Sequence, residues 1–271
     1  MFQTDNGRFQ SIPTVVKNLV IINVLVFLLQ NVMSMRGVDF DGMFALHFWR
    51  SPEFRWWQMI THMFMHGSMT HIFFNMFALW MFGRILENVW GPKRFLTFYL
   101  VCGLGAALCH LGVLTYQHMP FLQALQQYQQ HPNVQDFVAI ANQYPIRYNA
   151  DYANQLVNAW RNDPTSMQYA GQSIEILKSH LNEETVGASG AVFGLLFAFG
   201  YLFPNTELML LIPPMPIKAK WFVGIYAVFE LFLGIQNSAG DNIAHFAHIG
   251  GMLFAFILLR IWKNSYKDRF Y

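Results

Sequence analysis

Residues 187–204 read GASGAVFGLLFAFGYLFP, a run with no charged side chain that opens with a serine among small residues and closes on a proline. An apolar run of about this length is what a helix needs to cross a hydrocarbon core about 30 Å thick. Five more runs bounded by Lys, Arg or Pro lie outward from it, near 14–33, 69–88, 95–114, 219–236 and 245–262. The composition agrees: 54% of the residues are hydrophobic, 17% aromatic and 12% charged, about half the charged share of a soluble domain. So little charge cannot cover a globule, which excludes disorder and argues against an ordinary soluble enzyme. A net charge of +2 and the lack of any Lys/Arg-rich block exclude a nucleic-acid surface. The expected fold class is all-α, a polytopic membrane protein built as a six-transmembrane-helix bundle.

The clearest breaks are Gly91-Pro92, between the second and third spans, and Pro213-Pro214-Met215-Pro216, between the fourth and fifth. Six spans place both termini and these two short connections on one side. That side holds 11 of the 17 Lys/Arg, from Arg8 and Lys17 to Lys267 and Arg269, so the positive-inside rule makes the termini cytoplasmic, in a cell (plasma) membrane. No A-x-A-like site follows the first run, which is read as a retained span. Cys102 and Cys109 are seven residues apart in one run, about 10 Å on a helix and beyond disulfide reach. Residues 115–186 differ from the rest, being rich in Gln, Asn and Tyr with Pro120, Pro132, Pro145 and Pro164 at intervals. They are expected to form an extracytoplasmic, mostly helical insertion that serves as a cap or docking surface. Within it Tyr152, Leu156, Ala159 and Trp160 recur at helical spacing. Residues 1–114 and 187–271 then make one membrane domain.

Polar side chains inside spans are costly, so each is a functional candidate. Ser189 opens the fourth span, His245 and His248 open the sixth, and His71 and Asn75 lie in the first turns of the second. With both termini cytoplasmic, these residues share one depth, a little below the outer surface. A hydroxyl and an imidazole at one level suggest nucleophilic catalysis, because serine is inert until a base takes its proton. Ser189 sits where a loop enters a helix, and the unpaired N–H groups of such an N-terminus suit a tetrahedral oxyanion. Gly187, Gly190 and Gly194 on the fourth span, with Gly251 and Ala255 close to His248 in angle on the sixth, give small faces that let two helices approach closely. That contact would bring Ser189 to His248, with Phe193 packing on the imidazole. His71 and Asn75, at i and i+4, share a face and can donate to a developing negative oxygen.

Other readings compete. G-x-x-x-G is by itself a packing motif, and a serine beside glycine at a helix start is commonly an N-cap. His62 and His66 have the i, i+4 spacing of a metal pair, with His71 nearby, but no H-E-x-x-H accompanies them, and no metal or cofactor is expected. His245 could replace His248 as base; Gly251 and Ala255 favour His248. Asp241 could orient a histidine but falls in a short outer turn, so a Ser–His dyad is the simpler expectation. Glu230, inside the fifth span, has no assigned partner; protonation or an interhelical hydrogen bond would accommodate it.

Together these residues resemble the rhomboid intramembrane serine proteases. The resemblance rests on His71-x-x-x-Asn75, Gly187-x-Ser189-Gly190 and Ala247-His248-x-x-Gly251-x-x-x-Ala255 in order, with Gly83-x-x-x-Glu87 and the approach from Trp57 to His71 as further similarities. It implies Ser189 as nucleophile, His248 as general base, and His71, Asn75 and the Ser189 N–H as the oxyanion site. The implied activity is cleavage of transmembrane segments of substrate membrane proteins in the lipid bilayer, in a water-filled cavity. The chain departs from the family at Gln58, where an arginine follows the first-loop Trp, at Ala255 for glycine, and at Phe193 for an aromatic hydroxyl. A catalytically inactive rhomboid-like binding factor is the first alternative; a histidine-lined metal transporter is the second.

Overall fold

The computed structural model describes residues 12–144, 148–163, 165–210, 214–236 and 244–267. Arg8, Arg147, Arg269, Pro145, Pro164, Pro213 and the 237–242 turn with Asp241 lie outside the described residues. In chain order the helices are α1 (Thr14–Met35), α2 (Phe40–Phe44), α3 (Gln58–Thr61), α4 (Met69–Trp90), α5 (Pro92–Gln117), α6 (Met119–Gln130), α7 (Val134–Gln143), α8 (Ala150–Asn162), α9 (Met167–Lys178), α10 (Ser189–Leu202), α11 (Ala219–Gln236) and α12 (His245–Lys267). Two short antiparallel pairs join them: β1 (Leu46–His47) with β2 (Glu184–Thr185), and β3 (Glu207–Met209) with β4 (Pro216–Lys218). The fold is an all-α polytopic membrane bundle. Among the described residues α1, α4, α5, α11 and α12 are long and apolar enough to cross a membrane.

The expected fourth span is shorter than the 187–204 run. Helix α10 has 14 residues, about 21 Å at 1.5 Å per residue, and so falls short of a hydrocarbon core. Its surroundings explain this. Gly190 to Leu196 are all buried, as are Ala198, Phe199 and Gly200, so most of α10 lies in the core of the bundle, and only its last residues, Tyr201 and Leu202, are exposed. The small residues set its neighbours. A Cβ on Gly251 of α12 would overlap the Gly190 carbonyl, and one on Gly190 would overlap Ala106 of α5. A Cβ on Gly194 would lie 2.7 Å from Cys102 and 3.2 Å from the Gly251 carbonyl oxygen. The expected contact between the small faces of α10 and α12 is therefore present, and α5 packs into the same faces. Ala255 is fully buried in this core.

Capping explains the ends. Ser68 Oγ accepts from the His71 N–H and so starts α4. Gly91, at φ 77°, ends α4, and Pro92 begins α5 at once, so the chain reverses within one residue. The Glu87 carboxylate accepts from the N–H groups of Val15 (2.9 Å) and Val16 (2.8 Å), capping the start of α1 across the bundle. Gly83, one turn earlier, lets α1 come close: its Cβ would stand 2.9 Å from Val16. The Gly83-x-x-x-Glu87 pattern is thus a docking device for the first span.

The described residues between 119 and 181 fold around a second core that includes Phe121, Leu125, Tyr128, Phe137, Leu156, Trp160, Ile176 and Leu177. The expected face of α8 shifts by one residue at its start, because Ala153 is buried with Leu156 and Trp160 while Tyr152 is exposed and meets Tyr148. This helical unit joins the first loop at the end of the bundle where α10 begins. Leu46 pairs with Thr185 and His47 with Glu184, Ser51 Oγ donates to Asn182 Oδ1 at 2.7 Å, and Trp49 Nε1 donates to Thr115 Oγ1 at 2.9 Å.

Candidate active site

Ser189 is the first residue of α10, and its hydroxyl does not cap the helix. It lies 2.9 Å from His248 Nε2, the geometry of an O–H donating to an imidazole lone pair. That contact replaces the N-cap reading of Ser189. Glycine is required just before it: Gly187 has φ 133°, a region open to glycine, and a Cβ there would sit 2.8 Å from the His71 ring. The Gly187 N–H donates to the His62 carbonyl at 2.9 Å, which ties the entry of α10 to the first loop.

Phe193, one turn on, stacks on the His248 ring with centroids 4.0 Å apart and planes 7° apart. Tyr226 of α11 stacks on the other face of this pair, against Phe193 at 5.2 Å and 6°. The missing hydroxyl at Phe193 therefore leaves the ring packing intact. The His71 ring of α4 lies against Gly187, and Asn75 follows one turn later on the same helix. Asn75 is buried, and among the described residues its Nδ2 has no hydrogen-bond partner.

Glu230, on α11, is buried, and its Oε2 accepts from two imidazoles at once: His248 Nδ1 at 2.8 Å and His245 Nδ1 at 2.7 Å. The interhelical hydrogen bond left open by the sequence is thus made, twice. His245 faces Glu230 through its Nδ1, and Ser189 is met by His248. The arrangement has a carboxylate behind the histidine, where a bare Ser–His dyad was expected. The sequence did carry a signal for it. Gly234 lies one turn from Glu230, and a Cβ there would stand 3.2 Å from His245, so the small residue marks the face of α11 that α12 packs on.

Glu230, His245 and His248 also form, among the described residues, a set whose ligand-type atoms lie within 4.8 Å of one another. A tetrahedral zinc with bonds near 2.0–2.1 Å would hold nitrogen and oxygen about 3.3 Å apart. The observed 2.7 and 2.8 Å are proton-sharing distances. The other histidine set is not gathered as ligands. His62 Nδ1 donates to the Gln58 carbonyl at 2.7 Å, and the ring of His66 meets that of His71 edge-on at 5.1 Å.

Gln58, which stands where the family has arginine, is fully buried and organises the first loop. Its Oε1 accepts from the Arg55 N–H at 3.0 Å, and its Nε2 donates to the Glu53 carbonyl at 3.0 Å and to the Gly42 carbonyl at 3.3 Å. The Arg55 guanidinium turns to the carbonyls of Pro52 and Phe54 instead.

A family model described as the Rhomboid domain matches residues 53–122 and 166–264, more than half of the chain, and leaves out much of the helical insertion. An uncharacterized mitochondrial rhomboid protein of Schizosaccharomyces pombe is 26% identical over 225 residues, 78% of this chain and 53% of that protein. RHOMBOID-like protein 12, mitochondrial, of Arabidopsis thaliana is 26% identical over 257 residues, covering 94% of this chain and 60% of that one. The rhomboid protease GlpG of Haemophilus influenzae is 30% identical over 80 residues, 29% of this chain and 40% of its own. The chain spans about half the length of the first of these relatives. Both long matches are named mitochondrial, so a plasma-membrane location gains no support from them. The apolar helices establish the coarser placement, an integral membrane protein.

Proposed function

Because the chain belongs to the rhomboid family, we propose that it is an intramembrane serine endopeptidase that hydrolyses peptide bonds in or near transmembrane segments of other membrane proteins. The observation that carries this is the 2.9 Å contact between Ser189 Oγ and His248 Nε2 at the start of a buried helix. In the proposed cycle His248 Nε2 takes the Ser189 proton as Oγ attacks the scissile carbonyl. The same proton passes to the leaving amine as the C–N bond breaks, leaving an acyl-enzyme on Ser189. Water then attacks the ester, giving its proton to His248, and Ser189 recovers it as the acid leaves.

The negative oxygen of each tetrahedral intermediate needs donors. The Ser189 N–H lies in a helix first turn, whose N–H groups have no intrahelical partner. Asn75 Nδ2 is buried and, among the described residues, unpaired, and His71 is beside Gly187. These three are the proposed oxyanion site. No cofactor or metal takes part in the proposed cycle. The termini are assigned to the face favoured by Lys and Arg, which puts Ser189 near the opposite face.

A fluorophosphonate probe applied to membranes holding the full chain tests the reading. Wild type should be labelled and should cleave a transmembrane substrate, while folded Ser189→Ala and His248→Ala proteins should do neither. Cleavage retained by either variant would remove the proposed chemistry.

A further inference from the structure

We infer that Glu230 is a positioning residue for His248, held by His245 as its second donor, so that the site works as a triad of Ser189, His248 and Glu230. The inference rests on the protease reading and adds to it a residue from α11, a helix that otherwise contributes no reacting atom.

The geometry leads to it through the tautomer. A neutral imidazole carries one N–H. With Nδ1–H directed at Glu230 Oε2 at 2.8 Å, the His248 proton is on Nδ1 and the lone pair is on Nε2, which faces Ser189 Oγ at 2.9 Å. Without the carboxylate the ring could equally hold its proton on Nε2, and could not then accept one from serine. Phe193 lies flat on the ring at 4.0 Å and fixes its plane; only an in-plane partner can fix its rotation. Glu230 is that partner. When Ser189 loses its proton, Nε2 gains it, Nδ1 keeps its own, and the imidazolium forms against a carboxylate that stays ionised.

His245 explains how a carboxylate can be kept at this depth. Three residues before His248 on α12, it places a second N–H on the same oxygen at 2.7 Å. Two charge-assisted hydrogen bonds offset much of the cost of burying the anion. A protonated carboxyl could offer only one proton, so both short contacts are best made by two imidazole donors and an acceptor-only oxygen.

The experiment compares wild type with Glu230→Gln, Glu230→Asp and His245→Gln in full-length protein. Three quantities are measured: the fluorophosphonate labelling rate, kcat and KM on one transmembrane substrate, and the far-downfield proton resonance of the His248 Nδ1–H. Glu230→Gln should slow labelling and kcat by roughly 10²- to 10⁴-fold with KM within about threefold, and should lose the downfield resonance. Glu230→Asp should recover part of the rate, and His245→Gln should cost about tenfold. A purely structural bond between α11 and α12 would move thermal stability and leave the rate per folded molecule alone. Labelling of Glu230→Gln at the wild-type rate overturns the inference, as does a wild-type spectrum without that resonance, which is decisive even if the Gln variant fails to fold. Wild type that is neither labelled nor active overturns the protease reading itself, and the catalytic meaning of Glu230 with it.

Discussion

Asn75 carries a buried amide nitrogen that no group among the described residues accepts from, so in the resting protein it adds little to stability. Its use in the proposed cycle comes when charge builds on the substrate oxygen. Asn75→Ala should therefore lower kcat by roughly 10²-fold, the usual cost of one oxyanion donor, with KM and thermal stability near wild type; a change confined to KM would argue against the oxyanion role. Gln58 is the opposite case. It is buried among five loop groups it pairs with, so Gln58→Ala should destabilise the protein by about 1–3 kcal/mol, seen as a lower denaturation midpoint in detergent. The two residues also show what could be read beforehand. Ser189, His248, His71 and Asn75 stand out because a polar side chain in an apolar run is conspicuous in the sequence. The partners of Glu230, signalled only indirectly by Gly234 one turn away, and those of Gln58 are not, because a run of residues does not say how a helix is turned about its axis or which carbonyls a loop side chain will meet.

At the scale of elements, the spans were legible from length and proline, and their contacts were legible where small residues cluster. The short α10 was not. Length alone read it as a membrane-crossing helix like the others, whereas most of its 14 residues are buried against protein. Its packing makes Gly251 the tightest point: the Gly190 carbonyl occupies the space a side chain would need. Gly251→Val should force α10 and α12 apart, moving Ser189 from His248, and should cost more than about 3 kcal/mol or prevent folding. Thermal unfolding and fluorophosphonate labelling check it; a Val variant with wild-type stability would show that the helices can separate freely. Glu87→Ala removes the cap from two N–H groups of α1 and should cost about 1–2 kcal/mol. That loss is read as a lower unfolding temperature.

For the whole molecule, the first loop and the helical insertion are one layer, joined by the β1–β2 pair and by Ser51 with Asn182, over the end where Ser189 lies. Composition marked the insertion as different but could not say that the first loop would bind to it, since that pairing links residues more than a hundred positions apart. The layer encloses His62 and His66, both buried. Among the described residues neither ring nitrogen of His66 has a hydrogen-bond partner, so protonation would add a second unpaired N–H. Burial pushes His62 down to about 4, and His66 likewise to about 4, from an ordinary value of 6.5. Between these values the unfolded chain binds protons that the folded chain does not, so stability rises with pH across that window. The contribution is complete above about pH 6.5 and is lost as pH falls toward 4, at up to about 1.4 kcal/mol per pH unit for each histidine. The melting temperature of wild type should thus drop between pH 7 and pH 5. His62→Gln and His66→Gln should each flatten that slope while lowering stability at pH 7, and an unchanged slope in both would show that the pH dependence arises elsewhere in the molecule.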